Sequence, residues 1–247
     1  MRTRVPDPGR RHDASDATYS VGWIDATARG AALGRGILEE AETGGGLIKA
    51  AKKGKSVPFN APGFALSSPI VRTFNAAYWR RVPEKGRTSV KRIDDFFFPL
   101  DKIQDWNRLY GKRGIHQFQC AVPLAEVDAL RAILVDVANA GLASPLAVLK
   151  RMGPGRAGYL SFPMEGYTLA VDVRNTPDAE KLLKRLEDKT VAAGGRLYFA
   201  KDALATASHI PAMYPELGDW QAAVAKADPD KTFMTDLVQR LKLRDAT

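Results

Sequence analysis

The sequence predicts an α+β fold: a mostly antiparallel sheet covered on one face by helices, with a group of short helices at the C-terminal end. Three observations predict it. Strand-like and helical segments alternate through the second half of the chain, joined by short mixed loops. No GxGxxG opens a helix and no Walker loop is present, so the nucleotide-binding βαβ architectures lack their signature. Residues 203–243 carry only short helical patterns, such as WQAAVAKA and TFMTDLVQRLKL.

In chain order, residues 1–17 are polar, rich in Pro and Arg and without periodicity, and read as a disordered leader. Order begins at YSVGWID (19–25), a strand with Val21 and Trp23 on one face and Gly22 and Ile24 on the other. A short strand follows around Ile37 and Leu38, and GGG at 44–46 breaks the chain. Ser68-Pro69 reads as an N-cap with proline at the first helical position, opening a helix to about Arg80 with Val71, Phe74 and Tyr78 along one side. Residues 87–101, RTSVKRIDDFFFPLD, look like a strand running into an aromatic cluster, and a short helix around Trp106 ends at Gly111.

The next elements are clearer. GIHQFQCAVP (114–123) alternates as a strand and stops at Pro123. Leu124, Val127, Leu130, Ile133, Leu134 and Val137 recur at helical spacing up to Gly141. PLAVLKRMG (145–153) and GYTLAVDVR (166–174) are strands. Residues 176–195 form a helix capped by Thr176, and 195–200 form a last strand.

Composition narrows the function classes. The 247 residues are 45% hydrophobic and 26% charged, which suits a globular domain. Cys120 is the single cysteine, so an intrachain disulfide and a cysteine-based zinc site are both excluded. His12, His116 and His209 are isolated, and no metal site is expected. The sequence has no apolar run long enough to span a membrane, and the Arg-containing N-terminus has no apolar signal core. The net charge of +9 favours an anionic partner, but the basic clusters at 49–55 and 80–92 lack an aromatic RNA-binding signature. Nucleic acid is therefore not expected as a partner.

Polar residues on apolar strands are the candidates for chemistry. Gln117 and Gln119, two apart, leave the same face of their strand. Lys150 lies near the end of the next strand and Lys201 at the end of the last, directly before Asp202. Read alone, each belongs to the wet face of a half-exposed antiparallel sheet, and Lys201 is a solvated lysine. If that face is a ligand platform, two amides and two ammonium groups converge on an oxygen-rich, anionic ligand. Amides match sugar hydroxyls because they both donate and accept, and lysines hold phosphate or a developing oxyanion.

YSVGWID, FFPLDKIQDWNRLYG, HQFQCAVP, the Gly-Pro at 153–154 with YLSFPMEGY, and GGRLYFAKD with AMYPELGDW occur in one order from about Tyr19 to Leu243. In that order they resemble the C-terminal half of the decaprenylphosphoryl-β-D-ribose oxidase family, within the vanillyl-alcohol-oxidase superfamily of FAD-linked oxidoreductases. The resemblance implies that residues 18–247 are a substrate domain whose antiparallel sheet covers the flavin of an N-terminal FAD-binding domain. The resemblance further implies that the FAD-binding domain is missing from this chain, and so a truncated, frame-disrupted or split member. It also implies oxidation of a sugar hydroxyl to a ketone as hydride passes to FAD, with a short-chain reductase as partner where epimerisation is completed.

Site roles follow from the same resemblance. Lys201 is implied beside both flavin and substrate as the catalytic residue, with Tyr198 of the same motif also at the cofactor. Gln117, Gln119, Lys150, Phe97, Trp23, Thr168 and Ala170 are implied at the substrate. Three of these depart from the mycobacterial pattern, which has tyrosine at Phe97, asparagine at Thr168 and cysteine at Ala170. Relatives work at the cell envelope or, for soluble sugar lactones, in the cytoplasm, so the expected location is cytoplasmic or peripheral at the envelope. A second class remains open: a non-catalytic module that binds an anionic glycolipid or a partner protein.

Overall fold

The structure is a computed structural model, and it describes residues 2–3, 17–44, 54–155 and 158–244. Most of the 1–17 leader and of the 49–55 basic cluster lies outside the described residues. The strands are β1 (Arg2–Thr3), β2 (Tyr19–Ile24), β3 (Gly36–Ala41), β4 (Lys55–Ser56), β5 (Ile103–Gln104), β6 (Ile115–Val122), β7 (Ala143–Met152), β8 (Gly166–Arg174) and β9 (Arg196–Leu197). The helices are α1 (Ser68–Arg80), α2 (Ile93–Phe97), α3 (Val127–Ala140), α4 (Pro177–Ala192), α5 (Ile210–Met213), α6 (Leu217–Ala227) and α7 (Asp236–Arg240).

Seven strands form one antiparallel sheet in the order β1-β3-β2-β7-β8-β6-β9, and β4 pairs with β5 separately. The α+β class is as the sequence predicts. Alternation sorts the strands into two faces. Phe118, Cys120, Val122, Leu169, Val171, Val173, Ala147 and Leu149 point to a fully buried side. There they meet Leu130, Ile133, Leu134 and Val137 of α3 and Ala179, Leu182 and Leu186 of α4 in one core. The opposite face bears Trp23, Val148, Ala170 and Gln119, aligned across β2, β7, β8 and β6.

Helix ends follow local chemistry. α3 stops at Gly141, whose φ of 65° is the left-handed conformation that glycine adopts without a Cβ clash. Thr176 precedes α4 with extended backbone, yet its hydroxyl makes no capping bond; Pro177 and the acidic Asp178 and Glu180 of the first turn define that start instead.

Three expectations need correction. Residues 87–101 contain no strand; α2 occupies Ile93–Phe97 and a 3-10 turn follows at Pro99–Lys102. Asp94 and Asp95 suit the positive end of a helix, and Phe96, Phe97 and Phe98 pack on one another instead of alternating. The last strand is only Arg196–Leu197. Tyr214 donates its hydroxyl to the Leu197 carbonyl at 2.6 Å, and after the Tyr198 N–H bonds Gln119 O the chain enters a 3-10 turn, Phe199–Lys201. On α1, whose N-cap is Ser67, the buried stripe is Val71, Asn75 and Trp79; Phe74 is exposed and stacks on Tyr78 at 5.9 Å.

Candidate functional site

The open face of the sheet is built from four neighbouring strands. Val148 stands opposite Ala170, Ala170 opposite Gln119, and Val148 opposite Trp23, so the four side chains form a row. Each is half-buried, and Ala170 is the smallest side chain of the row. One step along, Lys150 pairs with Thr168 across β7 and β8, and one step the other way Gln117 pairs with Asp172. Register alone therefore puts Trp23, Gln117, Gln119, Lys150, Thr168 and Ala170 on the same face.

Hydrogen bonds fix several of these groups. Gln119 Nε2 donates to Thr168 Oγ1 at 3.2 Å, and Gln117 Nε2 donates to Asp172 Oδ1 at 2.6 Å. Tyr110, from the 3-10 segment Trp106–Tyr110, donates its hydroxyl to Asp172 Oδ2 at 2.7 Å. Trp23 is pinned at one side, its indole donating to Pro145 O at 2.8 Å and its ring 4.7 Å from that of Tyr78.

Lys201 ends the turn after β9 and is exposed. It lines a small cleft at the β6 edge together with His116, Gln117, Phe118 and Asp202. The ammonium groups of Lys150 and Lys201 make no direct hydrogen bond or ion pair with a described residue, which leaves both open to a ligand. Tyr198 packs its ring on Phe162 at 4.7 Å, three residues before Lys201.

Asp172 is the electrostatic centre of this face. It is fully buried, and burial raises its pKa above the ordinary 3.8, while the bonds from Tyr110 and Gln117 and the nearby Lys201 charge act in the opposite direction. The same enclosure, with the Asp172 charge beside it, raises the Tyr110 hydroxyl well above the usual phenol range.

Phe97 comes from α2, outside the main sheet. It is 45% exposed and stands edge-on to Tyr19, the first residue of β2, at 5.2 Å. Two residues of the site were missed from sequence. Asp172 carried a signal, a carboxylate within the apolar strand GYTLAVDVR; Tyr110 carried none, because a 3-10 segment has no periodicity to aim its ring.

The chain is 34% identical over 248 aligned positions to the decaprenylphosphoryl-β-D-ribose oxidase of Mycolicibacterium smegmatis, an alignment covering 94% of the chain and 53% of that protein. It is similar to an oxidase. It is also 28% identical to an uncharacterized protein in the mprA 5' region of Streptomyces coelicolor, over 98% of the chain and 69% of that protein. The chain thus spans about half the length of the mycobacterial relative. No family model matches it.

Proposed function

We propose that these residues are the substrate-binding half of an FAD-dependent oxidoreductase that oxidises a sugar hydroxyl to a ketone. A polyprenyl-phosphate pentose is the substrate class suggested by the name of the mycobacterial relative. The observation that carries the reading is the gathering of Gln117, Gln119, Lys150 and the Thr168 hydroxyl on one open sheet face, with Lys201 at its edge. The flavin would be held mainly by another domain or subunit.

The residues present fit a flavin and a sugar between them. The row of Trp23, Val148, Ala170 and Gln119 offers a half-buried strip for a flat ring, and the ammonium groups of Lys150 and Lys201 suit oxygen-rich, anionic neighbours. FAD, when bound, supplies the acceptor for the hydride. Lys201 orients the substrate hydroxyl and holds positive charge next to its oxygen, and Lys150 binds an anionic part of the ligand. Gln117 and Gln119 set the register of the sugar through its hydroxyls. Among the described residues no helix is long and apolar enough to cross a membrane, and the proposed location is the cytoplasm or the periphery of the envelope, with a short-chain reductase as a further partner.

The test combines the chain with a flavin-binding half, encoded in the same operon or taken from the mycobacterial relative, and follows loss of the flavin's visible absorption when a ribofuranosyl substrate is added without oxygen. Reduction by the native chain and its collapse in Lys201→Ala are expected. Near-normal reduction by the variant would contradict the assignment. A non-catalytic binding role is favoured by a different observation, the exposure of Phe59, Phe64 and Phe74 at 69%, 68% and 50%. It is the outcome if a bound partner is recovered but no flavin is ever reduced.

A further inference from the structure

We infer that Asp172 is a positioning residue that fixes the amide polarity of Gln117, turning the glutamine carbonyl toward the ligand side, where it selects a hydroxyl donor. The part about the ligand rests on the proposed function; the polarity rests on the hydrogen-bond geometry and on Asp172 being ionised. A glutamine amide is ambiguous, since its oxygen accepts and its nitrogen donates from nearly the same volume. An ionised carboxylate removes the ambiguity because it only accepts. Asp172 is fully buried and presents Oδ1 to Gln117 at 2.6 Å and Oδ2 to the Tyr110 hydroxyl at 2.7 Å. Both neighbours must therefore donate.

With Nε2 committed to Asp172, Gln117 keeps Oε1, which accepts no hydrogen bond from a described residue, and Gln117 itself is half-buried in the Lys201 cleft. The charges acting on Asp172 come from two directions. Tyr110 approaches from the 3-10 segment before β6, and Lys201 acts from the turn after β9 and favours the ionised carboxylate. Lys201 thus helps keep Asp172 an acceptor, and Asp172 keeps Gln117 an acceptor toward the ligand. Asparagine at 172 would reverse this: its oxygen would still serve Tyr110, and its nitrogen would donate to Gln117 Oε1, turning the Gln117 N–H outward.

Side-chain amide resonances of the full chain test the polarity, with the Gln117 pair identified by its loss in Gln117→Ala. In the native chain that pair should shift with pH through a single midpoint above 3.8, and the shift should be absent from Asp172→Asn. Tyr110→Phe gives a second measurement: it removes a bond that stabilises the carboxylate, so the midpoint should move upward. A Gln117 pair indifferent to pH in the folded native chain, or a titration that survives in Asp172→Asn, would overturn the inference. Binding of methyl β-D-ribofuranoside then separates it from the functional reading. About tenfold weaker binding by Asp172→Asn is expected, the scale of one lost hydrogen bond to a ligand. Equal binding by both chains would overturn donor selection, whereas no binding by the native chain would count against the sugar reading and leave the amide titration to decide polarity.

Discussion

Arg240 holds Asp202 in place beside Lys201. Its Nη2 donates to Asp202 Oδ2 at 2.6 Å, joining α7 to the turn after β9. The other carboxylate oxygen of Asp202 accepts the backbone N–H groups of Leu204 and Ala205 at 2.9 and 2.7 Å. The aspartate of GGRLYFAKD is thus a clamp on the backbone that carries the lysine.

Asp202→Ala should therefore destabilise the chain by about 1–2 kcal/mol, the scale of losing two backbone caps and an ion pair whose Arg240 partner is 36% exposed. Asp202→Asn retains an acceptor for the backbone and should cost less. Urea unfolding of the three chains checks the order, and an alanine variant as stable as the native chain would exclude the clamp.

The two glycines of the same motif make a sharper contrast. A Cβ on Gly195 would lie 2.3 Å from Ala121 O and 2.9 Å from Thr190 O, both backbone atoms that cannot yield without moving β6 or α4. Gly194 has a φ of +64° but open space around its missing side chain. Gly194→Ala should cost about 1 kcal/mol for the left-handed backbone. Gly195→Ala should cost about 3 kcal/mol or more by overpacking. Denaturant midpoints of the two variants read this ranking directly.

Much of the fold was legible because its main strands and two long helices are strongly periodic. GIHQFQCAVP, GYTLAVDVR and the Leu124–Val137 pattern each announce both an element and its buried face. The pairing of Gln117 with Gln119 was readable for the same reason. What periodicity cannot supply is which strands are neighbours, so the meeting of Gln117 with Asp172, 55 residues away, was invisible. The aromatic run at 96–98 misled because bulky rings favour strands in general, while the aspartates before it and the absence of a strand partner decide for a helical turn here. The last strand was read too long because Met213 of α5, and Tyr214 directly after it, occupy the backbone groups of Leu197.

Cys120 offers a probe of global unfolding. It is fully buried on the helix-covered face, and burial pushes its thiol up to about 12. Aromatic disulfide reagents at neutral pH should leave it unmodified in the native chain and react fully in denaturant. Destabilised variants such as Gly195→Ala should react faster in proportion to the population that opens. Rapid stoichiometric labelling of the native chain would contradict the packing of β6 between β8 and β9.

The pH dependence of stability should carry the mark of Asp172. Its folded pKa lies above the ordinary 3.8, burial being the largest cause, so folding favours the protonated carboxyl. Protons are therefore bound more tightly in the folded state than in the unfolded one, and stability falls as pH rises. The contribution is fully present below the ordinary value, declines as pH climbs through the raised folded value, and is constant above it. Asp172→Asn removes this dependence, so its stability relative to the native chain should improve between those limits and level off beyond them. Lys201→Ala should act in the other direction: without the lysine charge the folded pKa rises further, and the decline with pH becomes larger. Urea titrations across the acid range compare the three slopes, and parallel profiles for all three chains would show that Asp172 is not held in the enclosed, lysine-flanked site described.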